Sequence, residues 1–206
     1  MKTEEKFNKK LLVEGKDDQH VVWALCEKLN IPEIFDVVDS EGIDKLFDRL
    51  KAECSIKKSD IIGIIIDADN DLQARWISVR DILIKNNFKV PENFPKEGLI
   101  TDTKPKIGVW IMPDNNTNGM LEDFISFLVP ENDKLMPIAI ETLQNIENQG
   151  LDKYKTHKPK TKIHTWLAWQ EEPGKPLGQS ITNKALSTDN ETCRKFAVWL
   201  KKLFTE

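Results

Sequence analysis

Ile61-Ile62-Gly63-Ile64-Ile65-Ile66-Asp67-Ala68-Asp69-Asn70-Asp71 is the stretch on which the fold turns. Five isoleucines around one glycine make a run that is apolar on both faces and rich in β-branched side chains. That pattern suits a central strand of a parallel sheet with both faces covered. The run stops at three aspartates on alternate positions. From Leu72 to about Asn86 the apolar residues Trp76, Val79, Leu83 and Ile84 recur at helical spacing, which predicts a helix with those four on its buried face.

Working toward the N-terminus, Phe35-Asp36-Val37-Val38-Asp39 predicts a second short strand, followed by a helix capped by Ser40 and carrying Ile43, Leu46, Phe47 and Leu50. Lys10-Leu11-Leu12-Val13 predicts the first strand, which stops at Glu14-Gly15. The next helix, Asp17 to Leu29, has Asp17 or Asp18 as cap and dipole complement, and Ile31-Pro32 ends it. Toward the C-terminus, Gly98–Thr103 and Lys106–Met112 predict a hairpin around Lys104-Pro105. Helices are predicted over Met120–Leu128, Asn132–Asn148 and Glu191–Phe204. Residues 151–162 form the one concentrated basic run, with Lys153, Lys155, Lys158, Lys160 and Lys162, and residues 171–178 read as a loop.

Strand and helix alternate, so the expected class is α/β: a mainly parallel sheet flanked by helices, with a β-hairpin insertion and a C-terminal helical extension. One domain over residues 1–206 is expected, its core at about 10–130 and its extension at about 131–206. Right-handed crossovers place the strand C-termini on one edge, where open α/β sheets bind their ligands. Glu14 and the Asp67–Asp71 cluster both fall on that edge.

The bulk properties narrow the function. With 206 residues, 39% hydrophobic and 31% charged, the chain can bury a core without disulfides or a structural metal. A net charge of −4 argues against coating duplex DNA by charge alone, though not against a carboxylate-rich nuclease site. Cys26, Cys54 and Cys193 are widely spaced and read as reduced thiols. His20, His157 and His164 lack zinc spacing. The charged start MKTEEKFNKK is neither signal peptide nor anchor, and no run approaches the roughly 18 apolar residues of a membrane span. A cytoplasmic protein without membrane contact is expected.

Two motifs carry chemistry. Asp67-Ala68-Asp69 can turn two carboxylates toward one point beyond the sheet, an arrangement that hard cations such as Mg²⁺ favour. Taken alone it reads equally well as a helix start with spare acidic neighbours. Glu14-Gly15-Lys16-Asp17-Asp18 places a carboxylate directly after a buried strand, and alone it too reads as a helix start.

Together, Val13–Asp18 (VEGKDD) and Ile64–Asp71 (IIIDADND) resemble the Toprim family, the metal-dependent catalytic domain of topoisomerases, bacterial primases and the overcoming-lysogenization-defect nucleases. The resemblance covers roughly residues 10 to 130. Pro113-Asp114-Asn115, Gly119–Phe124 and Trp166–Gln170 make the chain similar to the stand-alone Toprim-like proteins related to those nucleases. Pro173-Gly174 and Gly178–Ile181 add to that similarity. The resemblance implies a nuclease that hydrolyses phosphodiester bonds of DNA or RNA with one or two Mg²⁺ or Mn²⁺ ions, as an effector in a defence or DNA-processing system. It implies Asp67, Asp69 and Glu122 as metal ligands, and Glu14 as ligand or general acid–base. Lys160 or Lys162 would stabilise charge at the phosphate. Asp18, Asp71, Asp114 and Asp123 are weaker metal candidates. Each of these four also reads as a cap or a solvated carboxylate.

Lys158, Lys160 and Lys162 are expected to touch nucleic acid, and Trp166 and Trp169 are the candidates for base stacking. Trp23, Trp76, Trp110 and Trp199 are expected in the core. The large nucleases carry an ATPase domain ahead of the Toprim domain. This chain starts at the first Toprim strand and shows no phosphate-binding loop of that kind, so the partners expected are nucleic acid, a separate ATPase or regulatory protein, and a second copy in a homodimer. The alternatives are a non-catalytic Toprim-like module that binds metal or a partner, and a receiver-like phosphoacceptor domain, which leaves the Asp67-Ala68-Asp69 pair and Glu122 unexplained.

Overall fold

A computed structural model describes residues 6–56 and 58–205; the first five residues of the charged N-terminal segment lie outside them. The isoleucine run forms β3 (Ile61–Asp67), buried along nearly its whole length. It lies between β1 (Lys9–Val13) and β5 (Lys106–Met112), parallel to both. β2 (Asp36–Asp39) adds to β1 in parallel, and the two-residue β4 (Leu99–Ile100) closes the other side antiparallel to β5. The order is β2-β1-β3-β5-β4, so the α/β sheet and its hairpin edge stand as the pattern predicts.

Alternate side chains along the strands feed two cores. One face, with Leu12, Ile62, Ile64, Ile66, Ile107, Val109 and Ile111, is covered by α2 (Ile43–Ile56) and α3 (Leu72–Lys85). The other, with Leu11, Val13, Ile65 and Trp110, is covered by α1 (Lys16–Lys28) and by the C-terminal helices. These are α4 (Leu121–Phe127), α5 (Leu135–Asn148), α6 (Lys158–Ala168), α7 (Leu177–Thr182) and α8 (Glu191–Phe204).

α8 sits close because the sheet has a trough. Gly63 and Gly108 are register partners on adjacent strands, and a Cβ on Gly108 would overlap the Leu203 side chain. Lys9 Nζ and Lys106 Nζ donate to the carbonyls of Phe204 and Lys202, which suits the negative end of a helix.

Several local expectations are corrected. Ser40 does not cap α2. Its hydroxyl is buried without a partner among the described residues, and the chain turns through Glu41 and Gly42, both at positive φ, before the helix begins. Ile84 is half exposed, and Ile82 takes its place in the core beside Leu83. Trp23 is 42% exposed, whereas Trp76, Trp110 and Trp199 are buried as expected. Residues 158–162 open a helix, with Pro159 in its first turn, where the missing N–H costs nothing. α7 occupies part of the expected loop, and Gly178 packs against the His20 backbone of α1.

Candidate functional site

The chain leaves β1 for β2 on one side and returns from β2 across β1 to β3 on the other, so the topology switches between β1 and β3. A crevice opens outside the carboxyl ends of strands at such a point. There a cavity of about 610 Å³ is lined by Glu14, Asp18, Asp39, Asp67, Glu122 and Lys160, with Lys16, Asp17 and Glu41 on its wall.

Each carboxylate is placed by backbone geometry. Glu14 follows β1, and its Oε1 accepts the Asp67 N–H at 2.8 Å, tying the ends of β1 and β3 together. Asp18 turns back on the first turn of α1, where its Oδ2 accepts the Gly15 N–H at 3.0 Å. Asp67 ends β3, and its Oδ1 accepts the Leu121 N–H at the start of α4 at 2.9 Å. Glu122 follows one residue later, 7% exposed, with Lys160 Nζ of α6 at 3.6 Å from its Oε1. The positive ends of α1 and α4 thus both meet the carboxylates, which offsets part of their charge.

Part of that charge is left uncompensated. Burial and the charges of Glu14 and Glu122 push the Asp18 carboxyl up to about 7. Burial, then the charges of Asp18, Glu14 and Glu122, hold Asp67 well above the ordinary carboxylate range. Burial raises Glu14 as well, against the opposing hydrogen bond from Asp67 and the charge of Arg75. Carboxyl groups crowded in this way bind either protons or a cation more strongly than isolated ones do.

The sequence-predicted residues divide accordingly. Glu14, Asp18, Asp67, Glu122 and Lys160 are brought together. Asp69 is diverted: its backbone is at φ 51°, its N–H bonds the Gly119 carbonyl, and its carboxylate takes a close ion pair with Arg75. Asp71 faces solvent and caps α3 through the Ala74 N–H, so it is a cap and no part of the cavity lining. Asp114 closes its own turn on Asn116 and Thr117, and Asp123 caps α4 through the Met120 N–H. Among the described residues no three acidic, histidine or cysteine side chains already stand arranged around a metal position.

Of the two lysines proposed for the phosphate, Lys160 lines the cavity, while Lys162 lies 3.9 Å from Asp123 outside it. Lys158 is paired with Glu147 at 2.6 Å. Trp166 is buried and donates to Asp133, so it cannot stack on a base; Trp169 is 40% exposed.

Asp39 and Lys16 were not singled out from sequence. The signal for Asp39 was its place at the end of a strand beside β1. The signal for Lys16 was its place between Glu14 and Asp18.

Fold and site together define an α/β protein with an acidic cavity at the topological switch of its sheet. Residues 8–205 match the family described as protein of unknown function (DUF3226), and the chain belongs to that family. No curated protein and no solved structure matches it.

Proposed function

We propose that this protein is a nuclease, hydrolysing phosphodiester bonds of DNA or RNA with Mg²⁺ or Mn²⁺ held at the carboxylate cavity, in the manner of the Toprim-like proteins it resembles. The observation that carries the reading is the convergence of Glu14, Asp18, Asp67 and Glu122, from three separate segments, on one cavity at the switch point. Folding alone gains nothing from mutual repulsion among these carboxylates, and a divalent cation relieves it. The donors are all hard oxygens, which suits Mg²⁺ or Mn²⁺ better than a softer metal.

Asp67, Asp18 and Glu122 would hold the metal, and Asp69 could join them only by releasing Arg75. Such ions supply an activated water and a clamp on the reacting oxygens. Within the chain, Lys160 offers a cation to a phosphate above the carboxylates. Glu14, with its raised proton affinity, can take a proton from the attacking water. Hydrogen bonds from the backbone to Glu14, Asp18 and Asp67 hold these groups in place before substrate arrives.

The test is cleavage of single-stranded, duplex and supercoiled DNA and of RNA in Mg²⁺ and Mn²⁺. Wild type is compared with Glu14→Ala and Asp67→Ala, with circular dichroism to check folding. Cleavage at least 100-fold weaker in both variants is expected. If no substrate is cut while calorimetry shows metal binding that Asp67→Ala removes, the protein is a metal-binding module without catalysis.

A further inference from the structure

The lysine run that stands out in the sequence has much of its charge matched within the protein: Lys158 by Glu147, Lys160 by Glu122 and Lys162 by Asp123. The part of the cavity lining that comes from α1 and the β2–α2 turn differs. Lys16 opens α1 on the cavity wall, exposed, with no ion pair or hydrogen bond from its side chain among the described residues. Arg49, one turn beyond Lys45 on α2, is likewise exposed and without a direct ion pair among them; it is not itself a lining residue and stands at the rim, within electrostatic reach of the lining residue Glu41. Beside Lys16 on the cavity wall is Glu41, paired with Lys45 at 2.5 Å. The charges of Lys45, Arg49 and Lys16 all reach the Glu41 carboxylate and hold it below its ordinary range. The N-terminal end of α2 opens at the same wall, since Gly42 also lines the cavity. Cations free of a direct ion pair beside an acidic floor are what a polyanion needs in order to approach carboxylates that would otherwise repel it.

We propose that Lys16 and Arg49 form a phosphate-binding wall, and that a nucleic-acid strand crosses the cavity from this wall to Lys160, with its scissile phosphate above the carboxylates. This rests on the nuclease reading and adds the direction of the strand and the residues that hold its flank. Glu41 competes with the strand for Lys45, so the wall is partly neutralised until a phosphate displaces it.

The test is binding of a fluorescein-labelled thymidine 20-mer in Ca²⁺, followed by anisotropy across a salt series. The proteins are wild type, Lys16→Gln/Arg49→Gln, Glu41→Gln and Lys201→Gln. Lys201 is an exposed lysine near the end of α8, at the opposite end of the strands. The double variant should bind about 10-fold more weakly. Its log K against log salt should be shallower by about 1.4, since each phosphate of a single strand that a protein cation neutralises adds roughly 0.7 to the slope. Glu41→Gln should bind more tightly than wild type, which a merely structural role for these residues would not produce. Lys201→Gln should match wild type. Wild-type affinity and slope in the double variant, or equal weakening by Lys201→Gln, would overturn the wall while leaving the nuclease reading standing. No binding of the oligonucleotide, of its RNA counterpart or of a 20-bp duplex by wild type would overturn both.

Discussion

Asp67 and Asp69 are two residues apart, and the structure gives them opposite surroundings. Asp67 is enclosed by other carboxylates, whereas Asp69 turns through positive φ to meet Arg75. Residue spacing showed that both could face one point; it could not show that a guanidinium from α3 would claim one of them. Asp18 yields a pH prediction. Its folded carboxyl titrates near 7, above the ordinary 3.8, so between these values the folded state binds more protons than the unfolded one. Stability from this group is therefore present at low pH and lost as pH rises toward about 7. In chelator-treated protein, Asp18→Asn should raise Tm at pH 8, and the gain should vanish near pH 4. An equal gain at both pH values would show that Asp18 is not the group responsible.

At the scale of elements, the trough at Gly63 and Gly108 decides how α8 docks. Gly108→Val should destabilise the protein by about 1–3 kcal/mol through overpacking against Leu203, measured by urea denaturation. Leu203→Ala in the same background should recover part of that loss, because the added side chain fills the space vacated. No recovery in the double variant would place the strain elsewhere. Elements with a dominant apolar period were legible from sequence: β3, α3 and α8 fall within a residue or so of expectation. α6 was not read as a helix, because its first five residues include three lysines and a proline. Its helical state is fixed by tertiary packing of Ile163, Trp166 and Leu167. Trp23 and Ile84 misled in the other direction, since an apolar side chain on a helix was read as core where the structure leaves it half exposed.

At the scale of the whole molecule, the sheet order puts the ends of β1 and β3 side by side. That much of the site follows from strand alternation and right-handed crossovers. Of the parts that come from distant helices, Glu122 on α4 was reached only through family resemblance, and Lys160 on α6 through that resemblance and its place in the basic run. Lys16 and Asp39 were passed over because a lysine or an aspartate near a helix start is ordinary. A site that gathers segments from residue 14 to residue 160 links ligand binding to global stability. At pH 8, Mg²⁺ at about 100 times its Kd should stabilise the fold by about 2.7 kcal/mol. Differential scanning fluorimetry should show the corresponding rise in Tm reversed by EDTA and absent in Asp67→Asn. A rise that survives Asp67→Asn would mean the cation binds elsewhere.

The lysine at the start of β1 bonds the carbonyl of Phe204 at the end of α8, 195 residues away, and the sheet trough between them is filled by Leu203 and Phe204. A ribosome making this chain therefore releases β1 long before its cover exists. The strip of sheet around Gly63 and Gly108 must stay bare, or be held by a chaperone, until residues 191–204 emerge, so the half of the molecule away from the cavity is the last to be closed during synthesis.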